Sequence, residues 1–219
     1  MKVLGIAGSP RFGSNTDILL GEVLKGAESK GAETKLIHVA NLNIMACDHC
    51  DSCIRTGECH FQDDTQKVYK EMEQADRVVL AAPLQFMGLP SQLKALIDRA
   101  QALWVRKYLL KITPLGDARE RRGLFVSVGG RTGEHLFDPA LATVKSFFAS
   151  LDIKHAGMVA FQGVESRAMV LDHPEMRQEA FLAGQKLPVY GILRVYRRSS
   201  WLHQLFSSTK SLFEGFWIV

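Results

Sequence analysis

Five short runs of branched apolar residues, Lys2–Ala7, Thr34–Val39, Arg77–Ala82, Leu124–Val128 and Ile153–Ala160, alternate with stretches whose apolar residues recur at helical spacing. No other feature constrains the fold as much. The runs read as strands, and the segments at about 15–30, 65–74, 91–110 and 136–150, with a last one at 175–187, read as helices. Such alternation requires a parallel sheet with helices on both faces. Val78–Ala82 and Leu124–Val128 are nearly continuous in apolar residues, as strands buried on both sides must be. Gly31 stands where a helix C-terminal cap is expected, and Pro90 where a first-turn proline belongs. The expected class is therefore α/β, a doubly wound five-stranded parallel sheet over residues 1–190. Residues 191–219 fall outside the pattern and are expected to form a C-terminal helical tail.

With 219 residues and 47% hydrophobic content, one well-buried core is the default. The segment MKVLGIAGSP carries too short an apolar run for a signal peptide or a membrane span, so a cytoplasmic location is expected. Thiols stay reduced there, and the four cysteines, all between Cys47 and Cys59, read as ligands or redox groups rather than disulfides. The net charge of +4 would hint at nucleic acid if it lay on the body. It does not: five basic residues after Ala183 against Glu214 alone supply all of it. A neutral body with no basic, aromatic-interleaved face argues against nucleic-acid binding.

In a doubly wound sheet, ligands bind beyond the carboxyl ends of the strands. The loop after the first strand, Gly8-Ser-Pro-Arg-Phe-Gly-Ser-Asn-Thr16, runs straight into a helix. It has neither the dinucleotide nor the nucleoside-triphosphate glycine spacing. It offers hydroxyl and amide donors at Ser9, Ser14, Asn15 and Thr16, one cation at Arg11, and the backbone N–H groups of a helix N-terminus. That set suits a terminal phosphate monoester, although such residues also cap helices without binding anything.

The motifs GSPRFGSNT at 8–16, APLQFMGLPSQLKALIDR at 82–99 and SVGG at 127–130 resemble the NAD(P)H-dependent FMN reductases of the flavodoxin-like superfold, over roughly residues 1–190. The resemblance implies FMN as cofactor. It places Ser9, Arg11, Ser14, Asn15 and Thr16 on the phosphate and Pro83, Leu84, Gln85 and Phe86 along the isoalloxazine. Gly129 and Gly130 would let the backbone approach the pyrimidine edge. Gln85 departs from the pattern, where the family more often has an aromatic residue. Read from the residues alone, the two glycines could serve only a tight turn, and Phe86 and Met87 could be core.

The cysteines are spaced Cys47-x2-Cys50-x2-Cys53-x5-Cys59, with Gly57 easing the last bend. Three thiolates two residues apart can wrap one small centre, as iron–sulfur ligands do, whereas zinc sites usually separate two Cys-x2-Cys pairs by a longer span. The spacing resembles that of the iron–sulfur flavoproteins, a branch of the same family that carries FMN and a [4Fe–4S] cluster. Zinc, or free redox-active thiols, stay open as alternatives. Asp48, His49 and Asp51 read as solvated loop residues.

The expected function is an FMN-dependent oxidoreductase that moves electrons from a ferredoxin-like or NAD(P)H donor to a small-molecule acceptor. A cluster-free FMN or quinone reductase and a flavodoxin-like electron carrier are the alternatives; the neutral body argues against the carrier. No catalytic side chain is assigned, because the flavin itself supplies the chemistry. Leu93, Leu96, Ile97, Ala100, Leu103 and Trp104 recur along the 91–110 helix, and in family members the equivalent helix often packs on a second subunit, so a homo-oligomer is expected. From Trp201 onward the apolar residues fill an arc of about 160° on a helical wheel. That face is expected to pack on protein, with a membrane surface as the alternative.

Overall fold

The computed structural model describes residues 1–187 in full and the backbone of 193–197. Six parallel strands form one sheet in the order β2-β1-β3-β4-β5-β6: β1 Lys2–Ala7, β2 Glu33–His38, β3 Arg77–Pro83, β4 Arg121–Gly129, β5 Ile153–Gln162 and β6 Leu193–Arg197. The first five are the expected strands in doubly wound order, reversing direction between β1 and β3. The sixth is an addition. It lies in what the sequence pattern assigned to the tail, and pairs with β5 from Gly157↔Leu193 to Phe161↔Arg197. The expected amphipathic helix from Trp201 lies outside the described residues.

Side chains alternate between two cores, as a strand's two-residue period demands. Val79 and Ala81 of β3 and Leu124 and Val126 of β4 face a core closed by α1 (Asn15–Glu28) and α7 (Pro174–Lys186). Val78, Leu80 and Phe125 face the other core. It is closed by α3 (Thr65–Gln74), α4 (Ser91–Arg99), α5 (Gln101–Tyr108) and α6 (Asp138–Ser150), and α2 is the single turn Cys53–Thr56. Helices α1 and α7 touch backbone to backbone. A Cβ on Gly26 would stand 2.0 Å from the Phe181 carbonyl oxygen, and one on Gly184 would stand 2.0 Å from that of Val23. Among the described residues, no helix is long and apolar enough to cross a membrane.

The single long helix expected over 91–110 is interrupted at Ala100. Its N–H bonds to the Ile97 carbonyl rather than continuing the ladder to Leu96. The Leu96 carbonyl instead accepts from the Tyr69 hydroxyl at 2.9 Å. Burial pushes the Tyr69 phenol well above its ordinary pKa, so it stays protonated and remains a donor. Leu93, Leu96, Ile97, Ala100 and Leu103 are buried in this chain's own core, and Trp104 stays 37% exposed. Pro90 is the N-cap itself rather than a first-turn residue, in an extended conformation.

Candidate functional site

The loops after β1, β3, β4 and β5 converge at the carboxyl end of the sheet, next to the reversal in strand order where open α/β sheets bind ligands. They enclose a cavity of about 280 Å³ lined by Ser9, Arg11, Ser14, Asn15 and Thr16 from the first loop, with Pro83, Leu84 and Gln85 from the third. Beside it lies a second cavity of about 400 Å³, lined by Phe86, Met87, Gly129, Arg131 and Leu136. Leu84, Gly130 and Glu165 line both cavities, so the two adjoin, the one at the α1 end polar and the other more apolar.

At the polar end, Ser14 is the N-cap of α1, and its Oγ accepts from the Asp17 N–H at 3.2 Å. Capping and facing the cavity therefore coexist in one residue. The first intrahelical bond runs from the Ile18 N–H to the Ser14 carbonyl, so the N–H groups of Asn15 and Thr16 precede the ladder and are available to an anion. Ser14 Oγ and Thr16 Oγ1 lie 3.1 Å apart, and Ser9 Oγ accepts from the Arg11 N–H at 3.1 Å, which fixes the turn that presents the Arg11 side chain.

Asn15 differs from the expectation. Its Nδ2 donates to the Ser166 carbonyl at 2.8 Å and its Oδ1 accepts from the Val170 N–H at 3.1 Å. Its side chain braces the loop after β5 onto the loop after β1, and Arg167 reinforces that junction by donating to the Phe12 carbonyl at 2.9 Å. Sequence reasoning missed Glu165, Arg167 and Arg131. The signal for the first two was positional, since every loop following a strand of this sheet reaches the same end, but the GVESR stretch shows no run of donors.

The apolar end is shaped by a tight turn. Gln85 and Gly88 exchange backbone hydrogen bonds at 3.1 and 2.8 Å, and Phe86 and Met87 between them take left-handed conformations, φ 47° and 64°. Two consecutive non-glycine residues there cost on the order of 1–3 kcal/mol each, and such strain gathers at ligand sites. The turn holds the Phe86 ring wholly in solvent at the rim, so Phe86 is not core. Neither Gly129 nor Gly130 has positive φ, so neither is required by a left-handed turn. Gly130 provides space: a Cβ there would stand 2.6 Å from Glu165 Cγ. Gln162, fully buried, clamps the loop after β4 by accepting from the Gly133 N–H at 3.0 Å and donating to its carbonyl at 2.6 Å.

The cysteine loop occupies a separate place, against α3, α4 and α5. Its ends are zipped together: Asp64 accepts from the Asn43 N–H at 2.8 Å, and Asp63 accepts from the Met45 N–H at 2.9 Å. Beneath it lies Arg99, only 1% exposed. Its guanidinium donates to Asp63 at 2.6 Å, to the Met45 carbonyl at 2.9 Å and to the Phe61 carbonyl at 3.2 Å. Burial pushes the Asp63 carboxyl up, but hydrogen bonds from Met45, Thr65 and Arg99 outweigh it and hold the pKa below the usual carboxylate range. Arg106 fastens the far side, Nε to the Gly57 carbonyl at 2.8 Å, where Gly57 caps α2 at φ 70°.

Within this frame His49 and Asp51 take left-handed φ of 56° and 59°, so the chain between Cys47 and Cys53 folds back on itself. Burial pushes the Cys53 thiol above its ordinary pKa. The negative charges of Cys59, Cys47 and Cys50 add to the rise, against a lowering backbone hydrogen bond at Cys53. Cys53 thus feels the charge of each of the other three cysteines, which a bound cationic centre would relieve. The donor set, four thiols within one loop, fits an iron–sulfur cluster, and Arg99 Nε is buried nearby without a protein partner. Asp48, Cys50 and His60 also approach within 4.8 Å on the exposed side, with His60 Nε2 3.4 Å from Asp48.

The sequence profile of the NADPH-dependent FMN reductases matches residues 1–162. The chain belongs to that family. An iron-sulfur flavoprotein of Methanosarcina thermophila is 35% identical over 130 residues, 59% of this chain and 64% of the relative. One from Methanocaldococcus jannaschii is 40% identical over 103 residues, 47% of this chain and 53% of the relative. In both, the match spans less than two thirds of the relative's own length. A second iron-sulfur flavoprotein of that organism is 35% identical over 150 residues, 68% of this chain and 71% of the relative. Among solved structures, an NAD(P)H:quinone oxidoreductase from Methanothermobacter marburgensis superposes with a TM-score of 0.63 at 17% identity, covering 87% of this chain and 98% of that one. An FMN-dependent NADH-azoreductase from Bacillus anthracis, in complex with FMN, gives 0.57 at 19% identity over 85% and 97%. These two likenesses carry the flavodoxin-like fold and nothing further.

Proposed function

We propose that this FMN reductase family member is a flavin-dependent oxidoreductase of the iron–sulfur flavoprotein type. It would move electrons between a ferredoxin-like or NAD(P)H donor and a small acceptor. The observation that carries the reading is the pair of adjoining cavities, with the α1 N-terminus and Arg11 beside one and the strained Phe86-Met87 turn beside the other. A terminal phosphate fits the first end, where N–H groups, hydroxyls and a cation converge; each hydrogen bond to a charged group contributes about 1.5–3 kcal/mol. A planar ring fits the second end, bounded by Leu84, Gly129, Gly130 and Leu136. FMN has that shape, and when bound it supplies hydride and single-electron transfer through one ring.

The protein's own part is to hold and orient. The Asn15 and Arg167 bonds would keep the β5 loop over the phosphate end. The Gln162 clamp would fix the β4 loop along the ring. Cys47, Cys50, Cys53 and Cys59 would hold the cluster, which supports a reducing, cytoplasmic setting for the chain. Self-association belongs to the same proposal, through the exposed pair Trp104 and Tyr108, whose rings lie 5.2 Å apart. Flavin released by acid from the purified protein tests the cofactor: FMN is expected, and FAD as the dominant species would overturn the reading.

A further inference from the structure

Arg99 looks like a routine last-turn cation of α4 in the sequence, yet it is among the largest fully buried side chains of the fold. Its two terminal nitrogens are taken up by Asp63, Met45 and Phe61. Nε is different, being buried and without a protein partner. The cavity that Arg99 lines, about 240 Å³, is also lined by Cys59, Thr65 and Tyr69. One hydrogen-bond donor, the Arg99 Nε–H, thus has no protein partner in a residue that shares a cavity wall with one of the four cysteines. An unused buried donor costs about 1–3 kcal/mol, so its persistence calls for an acceptor.

A cluster ligated by Cys59 would supply the acceptor, since Arg99 and Cys59 line the same cavity. The potentials of iron–sulfur clusters respond to net charge, to hydrogen bonds on the sulfurs and to solvent exposure. Arg99 supplies charge and a donor from a side chain that is itself wholly buried. Asp63 cancels part of the charge, but it leaves the Nε–H group unpaired.

We propose that Arg99, through its buried guanidinium beside Cys59, raises the reduction potential of the cluster held by Cys47, Cys50, Cys53 and Cys59. This rests on the cluster reading above. Arg99 acts on the cluster through Cys59, and its second role, fastening Met45 to Asp63, is structural. Adding one electron to the cluster adds one negative charge. A fixed cation and an N–H donor next to Cys59 therefore favour the reduced form.

The test is an anaerobic redox titration of the whole protein, following the cluster by electron paramagnetic resonance and FMN by absorbance, in wild type, Arg99→Lys and Arg99→Gln. Iron content is measured in each. Arg99→Gln is expected to shift the cluster's reduction equilibrium at least about tenfold toward the oxidised form, about 59 mV for a one-electron couple. The FMN midpoints should not move. Arg99→Lys, which keeps the pair with Asp63 but lacks the Nε donor, should fall between. A wild-type midpoint in whichever variant retains full iron would overturn the proposal. Loss of iron from both variants would overturn it too, reducing Arg99 to a structural clamp. Absence of iron from the wild type would instead defeat the cluster reading itself.

Discussion

Asp63 and Arg99 form a salt bridge in which both side chains are almost wholly buried, 3% and 0% exposed. A buried pair of this kind adds little over an apolar pair, but breaking it strands a charge at about 3–5 kcal/mol. Asp63→Ala should therefore lower the melting temperature by roughly 6–20 °C, at about 2–4 °C per kcal/mol for a chain of this size, measured by calorimetry. The pH dependence follows from the depressed carboxyl pKa. Its contribution is complete above about 3.9, the unfolded value, and is lost as pH falls through the lower folded value. The gap in unfolding free energy between wild type and Asp63→Asn, from denaturant titrations, should be full at pH 7 and narrow toward pH 3. An unchanged gap would mean Asp63 is not ionised in the fold. Arg99 and Asp63 were invisible as a pair in the sequence, since an Arg in a helix and an Asp in a loop ordinarily face water, and only the tertiary carbonyls of Met45 and Phe61 make burial affordable. Asn15 was visible as a site residue, but its work on Ser166 and Val170, some 150 residues away, was not.

At the scale of elements, the strands were legible because burial on both faces produces continuous apolar runs. Their ends were less so: β4 begins at Arg121, a 1% exposed arginine tied to the Glu73 carbonyl at 2.6 Å, where composition suggests a loop. β6 escaped notice because Leu193–Arg197 is a short stretch in a basic tail, and the break at Ala100 because only Tyr69 reveals it. The α1–α7 crossing gives a sharp contrast between glycines. Gly184→Ala places a Cβ on backbone that cannot yield and should cost about 3 kcal/mol, the upper end of overpacking. Gly21→Ala, with nothing within 4 Å of its Cβ, should stabilise α1 by about 0.5–1 kcal/mol. Chemical denaturation of the two variants checks both, and equal effects would refute the packing account. The cysteine loop and the cavities at the carboxyl end of the sheet are built from different elements. Serine at any one of Cys47, Cys50, Cys53 or Cys59 should therefore remove most of the iron and leave FMN bound, as read by metal analysis and flavin absorbance.

Across the whole molecule, two sites share one scaffold. The sheet reversal between β1 and β3 fixes where a flavin can sit, and α3, α4 and α5 form the bed on which the cysteine loop lies. Light scattering at micromolar concentration should show an assembly larger than one chain, and a monomer would remove the Trp104 surface from the account. The central claim is that one chain holds both FMN and a four-cysteine cluster, and the visible spectrum of anaerobically purified protein, with iron and flavin assayed on the same sample, tests it most directly. The account predicts flavin bands over a broad iron–sulfur shoulder, with about one FMN and about four irons per chain, as a Cys-ligated [4Fe–4S] centre requires. Flavin bands alone, with iron near zero and stoichiometric zinc, would contradict it.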